Sequence, residues 1–142
     1  MIRVLLADDH KIVRKGFRAI LASAADIEIV AEANDGQSAI RLAKELAPDV
    51  VLMDIAMPGC DGIEAARRIQ AASAAPRVVI LTGLDSRATV HEALDRGVKG
   101  FVSKLDGFEE VITAVREVYA GKPYLSTTVA RLVRGTDDQR KE

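Results

Sequence analysis

The sequence predicts an α/β domain built on a doubly wound, five-stranded parallel sheet with helices on both faces. Three observations carry that expectation. Short apolar runs without alternation, such as Val50-Val51-Leu52-Met53 and Val78-Val79-Ile80-Leu81, read as strands buried on both sides. Between such runs the apolar residues switch to a helical period. The runs themselves close on polar residues, which is how strands end at the ligand-binding edge of an open parallel sheet.

Each element follows from local chemistry. Ile2 to Ala7 is the first strand, ending in Asp8-Asp9. Val13, Phe17, Ile20, Leu21 and Ala24 mark one face of the first helix, with Lys11, Arg14, Lys15 and Arg18 elsewhere around it. Ile27 to Ala33 is the second strand, and Asn34-Asp35-Gly36 is a turn that caps the second helix. That helix carries Ala39, Leu42, Ala43 and Leu46 and stops before Pro48. The third strand ends at Asp54, and the chain turns at Met57-Pro58-Gly59. A third helix runs from about Asp61 to Ala72 and ends before Pro76. Arg77 to Thr82 is the fourth strand. Asp85 or Ser86 caps a helix through about Arg96, closed by Gly97. Lys99 to Ser103 is the fifth strand, running into Lys104. The next helix starts near Asp106 and shows Phe108, Val111, Ile112, Val115, Val118 and Tyr119 on one side, with Gly121 at its end. Ser126 caps a short helix bearing Val129, Leu132 and Val133; Arg134 to Glu142, without an apolar side chain, reads as a solvated linker or frayed end. The expected organisation is a domain over 1–122 and a linker over 123–142.

Composition narrows the function classes. With 142 residues, 49% hydrophobic and 29% charged, the chain has the make-up of one soluble globular domain. Twenty basic residues against 21 acidic ones give a net charge of −1, which argues against a nucleic-acid surface spread over the whole chain. A single cysteine, Cys60, excludes a disulfide framework and fits a reducing, cytoplasmic setting. No stretch approaches membrane-spanning length.

The strand ends hold the chemistry. Asp8, Asp9, Asp54, Thr82 and Lys104 are far apart in sequence, yet the predicted sheet brings them to one edge. Three carboxylates packed together repel one another, and a hard divalent cation relieves this. An oxygen-only donor set without Cys or His selects Mg²⁺. With the charge neutralised, Asp54 reads as a nucleophile that forms an acyl phosphate, while Lys104 and the Thr82 hydroxyl bind phosphoryl oxygens. Each residue alone has a plainer reading: a turn aspartate, a strand-ending threonine, a solvated lysine. Their shared register at four strand ends favours the site. The plainer reading holds for His10 and His91, which lack a second His or Cys at ligand spacing. It also holds for Cys60, for Arg67-Arg68 on a helix face, and for Met53 and Met57 as packing residues.

Asp8-Asp9-His10, Met53-Asp54-Ile55-Ala56-Met57-Pro58-Gly59, Thr82-Gly83 and Lys104, taken together, resemble the receiver domain of bacterial two-component response regulators, over roughly residues 2 to 121. The resemblance implies a flavodoxin-like fold of strand order 2-1-3-4-5, in which Asp54 accepts a phosphoryl group from a sensor kinase phosphohistidine. It also implies that Asp9, Asp54 and the Ala56 backbone carbonyl hold Mg²⁺, with Asp8 acting through water. Thr82 and Lys104 would bind the phosphoryl oxygens, and Phe101 would be the switch aromatic. Ile2-Arg3-Val4-Leu5-Leu6-Ala7-Asp8-Asp9-His10, Gly97-Val98-Lys99-Gly100-Phe101 and Gly121-Lys122-Pro123-Tyr124-Leu125-Ser126 are similar to the NarL/FixJ (LuxR-type) subfamily. There a helix-turn-helix DNA-binding domain follows such a linker, so the chain is expected to be a receiver fragment of a transcription regulator.

The expected output is association: a homodimer, or contact with the DNA-binding domain. Thr82 would reorient toward the phosphoryl group and leave space that Phe101 fills from outside. Leu105 stands where many receivers have proline, so no cis peptide is expected there. Ala56 and Leu84 are apolar where polar side chains are common, which predicts slow self-dephosphorylation. Three other readings remain. A stand-alone receiver would work through protein contacts. A phosphohydrolase would need a second acid where Ala56 stands, and a nucleotide- or flavin-binding module would need a Gly-rich loop after the first strand.

Overall fold

The computed structural model describes residues 1–57, 61–71, 76–83 and 87–141. Strands and helices alternate: β1 (Ile2–Ala7), α1 (Lys11–Ala22), β2 (Ile27–Ala33), α2 (Gly36–Leu46), β3 (Val50–Asp54), α3 (Gly62–Gln70), β4 (Arg77–Thr82), α4 (Arg87–Asp95), β5 (Gly100–Ser103), α5 (Glu109–Tyr119), β6 (Tyr124–Leu125) and α6 (Thr127–Lys141). A 3₁₀ turn, Lys104–Asp106, joins β5 to the approach of α5.

All pairings are parallel, and the sheet order is β2-β1-β3-β4-β5-β6. The five-stranded expectation is therefore corrected to six. Tyr124 and Leu125 pair with Gly100 and Phe101, and the Tyr124 hydroxyl donates to Glu110 Oε1 at 2.7 Å. A two-residue strand has no period to read; it forms because the edge of β5 offers unpaired backbone groups. The helix expected as short after Ser126 is longer, running from Thr127 to Lys141. α5 begins at Glu109, the turn occupying the residues from Lys104 to Asp106. The expected caps Asp85 and Ser86, the Pro58-Gly59 turn, Cys60 and Leu84 lie outside the described residues.

Side-chain alternation splits the core between the two faces of the sheet. Leu5 and Ala7 point with Val51, Met53 and Ile80 toward α2, α3, α4 and α6; Val4 and Leu6 point with Leu52 and Leu81 toward α1 and α5. All five residues of β3 are buried, as its unbroken apolar run requires. Asp35 and Asp61 cap α2 and α3 through the backbone amides of Ser38 and Ile63. Gly62 is obligatory for packing: a Cβ there would sit 2.7 Å from both the Cα and the carbonyl oxygen of Ile55. The absence of a side chain thus lets α3 lie directly on the segment that leaves Asp54. No cis peptide bond occurs among the described residues, Lys104-Leu105 included.

Candidate functional site

The register sets the site. Asp54 lies opposite Leu81, and Thr82 lies opposite Ser103, so the ends of β3, β4 and β5 are level. β1 reaches the same edge, where the Asp8 amide donates to the Ala33 carbonyl at 3.0 Å. The pleat turns Asp8 and Asp54 into the protein, and their side chains are 0% and 1% exposed.

One cation balances them directly. Lys104 Nζ lies 2.9 Å from Asp54 Oδ2 and 3.2 Å from Asp8 Oδ2. Burial acts to lower the Lys104 ammonium, but the Asp54 and Asp8 carboxylates outweigh it and hold the group above the usual lysine value. Asp54 Oδ1 accepts the Ala56 amide at 3.0 Å, which fixes the carboxylate plane. An open cleft beside it is lined by His10, Asp54, Ile55, Ala56, Gly83 and Lys104.

His10 is the residue that sequence reasoning set aside. Its Nδ1 sits 3.2 Å from Asp8 Oδ1, 3.3 Å from Asp9 Oδ1 and 3.6 Å from Asp54 Oδ2. It reaches there because its own amide donates to Asp8 Oδ1 at 2.8 Å, closing a tight turn at the start of α1. The only sequence signal was adjacency to Asp8-Asp9; the third carboxylate comes from β3.

These side chains fit a hard cation. One ligand atom from each of Asp8, Asp9, His10 and Asp54 can be chosen so that all lie within 4.8 Å of one another. Asp8 Oδ2 and Asp9 Oδ1 are buried; the former has only the Lys104 ammonium at 3.2 Å, shared with Asp54, and the latter has no hydrogen-bond donor. Buried carboxylate oxygens without donors are what a cation would satisfy.

Other predicted residues fall as follows. Thr82 closes β4 and is 4% exposed. Phe101 is 1% exposed and belongs to the apolar cluster of Val90, Ala93, Val98 and Val129. The expectation that Phe101 fills its place from outside is therefore corrected: it is already buried, in the apolar cluster to which α4 and α6 also contribute. Arg67 and Arg68 sit on an exposed face, as expected, where both pair with Glu64. The two guanidinium groups hold the Glu64 carboxyl down at about 2.

Residues 4–116 match the response regulator receiver domain family. The chain belongs to that family. Its relatives include the transcriptional regulatory protein LiaR of Bacillus subtilis, 42% identical over 92% of this chain and 62% of LiaR. The response regulator GacA of Pseudomonas aeruginosa is 38% identical over 92% of this chain and 61% of GacA. Both relatives are NarL/FixJ-type regulators, and this chain spans about three-fifths of their length. A LuxR-family response regulator from Aurantimonas superposes with a TM-score of 0.89 at 36% identity, covering 99% of this chain and 98% of that one. The isolated receiver domain of RcsB from Salmonella enterica, determined with the phosphomimetic BeF₃⁻, gives 0.85 at 28% identity, over 93% and 98% of the two chains. The fold of this receiver is flavodoxin-like, and receivers of its kind act in phosphorylation-dependent signalling. Among the described residues no helix is long and apolar enough to cross a membrane.

Proposed function

We propose that this receiver is a switch whose phosphoacceptor is Asp54, loaded by a sensor histidine kinase in a Mg²⁺-dependent transfer. The observation that carries the reading is the pairing of a 1%-exposed strand-end carboxylate with Lys104 at 2.9 Å, inside a cluster of acids that lack enough positive charge. Asp9, Asp54 and the Ala56 carbonyl would hold the cation, with Asp8 acting through water. When bound, the cation neutralises charge between the carboxylates and the incoming phosphoryl group.

The protein's own residues do the rest. An Asp54 carboxylate oxygen bonds to phosphorus as the bond to the donor nitrogen of phosphohistidine breaks; the imidazole leaves with the electron pair and takes up a proton. The Ala56 amide holds the carboxylate in the plane for that attack. Lys104 shifts its charge onto the phosphoryl oxygens, and the Thr82 hydroxyl donates to another. Phe101, already inside, repacks as Thr82 moves. Residues 1–122 form the receiver and 123–142 lead toward a helix-turn-helix domain, with a phosphorylation-dependent homodimer and transcriptional control in the cytoplasm as output.

Intact mass after incubation with acetyl phosphate tests the reading. One phosphoryl group gained only with Mg²⁺, and lost in Asp54→Asn, supports it. No adduct under any condition removes it.

A further inference from the structure

The linker helix touches the site through an acid two residues beyond Lys104. Asp106 lies at the end of the 3₁₀ turn and accepts two hydrogen bonds from Thr128, one from its amide at 2.8 Å and one from its hydroxyl. On the other side of Lys104, the Ser103 amide donates to Ser126 Oγ at 2.9 Å. Ser103 and Ser126 are both fully buried. The Ser126 amide in turn donates to the Phe101 carbonyl at 2.9 Å. Lys104 is therefore bracketed: the residue before it and the residue two after it are both bonded to the first turn of α6. The same turn sends Val129, 0% exposed, into the cluster around Phe101.

Burial acts to raise the Asp106 carboxyl, yet hydrogen bonds from Ser126 and Thr128 and the charge of Arg131 together hold it below its ordinary value. The clasp is thus a charge-assisted one at the positive end of a helix. Nothing in this arrangement is needed to hold a phosphoryl group. It fixes the backbone from which Lys104 projects.

We infer that Asp106 is a positioning residue tying Lys104 to α6, so that occupation of the phosphoacceptor site loosens α6 and release of α6 favours occupation by the same factor. The inference rests on Asp54 being the phosphoacceptor. Lys104 now stands against both Asp54 and Asp8, so a phosphoryl group entering at Asp54 has to displace the ammonium. With the backbone held at both ends of Lys104, that displacement is transmitted to the turn and loads the clasp. Linkage makes the effect reciprocal.

Hydrogen exchange of amides 128–133 is measured with and without Mg²⁺ and beryllofluoride, alongside beryllofluoride affinity, in the native chain, Asp106→Ala and Thr128→Val. Losing a bond to a charged group shifts such equilibria roughly tenfold. The native α6 amides are expected to exchange about tenfold faster when beryllofluoride binds. In Asp106→Ala they exchange fast from the start and respond little, while beryllofluoride binds about tenfold tighter. Thr128→Val, which keeps the amide bond, falls between. Glu64→Gln, on the exposed face of α3, alters neither quantity if the coupling runs through Asp106. If Asp106→Ala fails to fold, Thr128→Val and Ser126→Ala carry the test. Beryllofluoride binding without any change in α6 exchange overturns the coupling alone. Failure of the native chain to bind it overturns the phosphoacceptor reading and the coupling with it, whereas fast α6 exchange in the variants would still establish the clasp.

Discussion

Replacing Asp54 by asparagine removes one charge from a crowded cluster while keeping its shape. At an effective dielectric constant of about 20, the Asp54–Lys104 contact at 2.9 Å is worth about 6 kcal/mol of attraction. Asp54 also faces Asp8 and Asp9, with ligand atoms within 4.8 Å, and each costs at least about 3.5 kcal/mol of repulsion on the same scale. Repulsion from the two acids slightly exceeds attraction to the one lysine. Asparagine also keeps an oxygen for the Ala56 amide. Asp54→Asn is therefore expected to stabilise the metal-free protein by about 1 kcal/mol, roughly 4 °C in Tm for a domain of this size. Calorimetry in chelator measures this directly. A titration with MgCl₂ then adds a second arm: the native protein gains stability with Mg²⁺ by mass action, and the variant gains less. A variant that loses 1 kcal/mol or more in chelator would refute the reasoning, because the Lys104 pair would then outweigh the repulsion and leave no deficit for a cation to fill.

Other consequences are as direct. Gly62→Ala forces a Cβ to 2.7 Å from the Ile55 backbone, which cannot give way like a side-chain tip. A loss of about 2–3 kcal/mol, near 10 °C in Tm, is expected by denaturation, with slower phosphorylation because Ile55 follows Asp54. Burial and the Glu110 carboxylate push the Tyr124 hydroxyl up to about 12. The raised value means its contribution is complete below the unfolded value near pH 10 and lost as pH rises toward 12, about 2.7 kcal/mol from the shift alone and about 2 after solvent screening of this partly exposed group. Tyr124→Phe should flatten that alkaline loss in pH-dependent urea titrations. Ala56→Asn places a polar side chain at the rim of the cleft and should shorten the phosphoryl lifetime severalfold; an unchanged lifetime would remove water access at this position as the controlling factor.

Most of the fold was legible because buried parallel strands and amphipathic helices leave strong periods. β3 is the clearest case, its apolar run leading straight to the acid. Thr82 and Lys104 were legible for the same reason, as polar residues that end apolar runs. What sequence concealed depends on contacts between distant segments. β6 is two residues long and exists only because β5 presents a free edge. α6 is held by Val129 inside a core contributed by α4 and β5, and by Asp106 from the turn after β5; none of these partners is within its own period. His10 had no second His or Cys at local spacing, and Asp54 is brought to it only by the β1–β3 pairing. Phe101 starts inside, in a cluster that also takes Val129 of α6, and a helix read only as short gave no hint of that contribution.

Borohydride trapping tests the central claim most directly. The native chain is treated with acetyl phosphate and Mg²⁺, reduced, digested and mapped by mass spectrometry. An aspartyl phosphate at Asp54 is expected to become homoserine at that position and nowhere else. Homoserine at Asp8 or Asp9, or an unmodified Asp54 in a protein that has gained a phosphoryl group, would contradict the account.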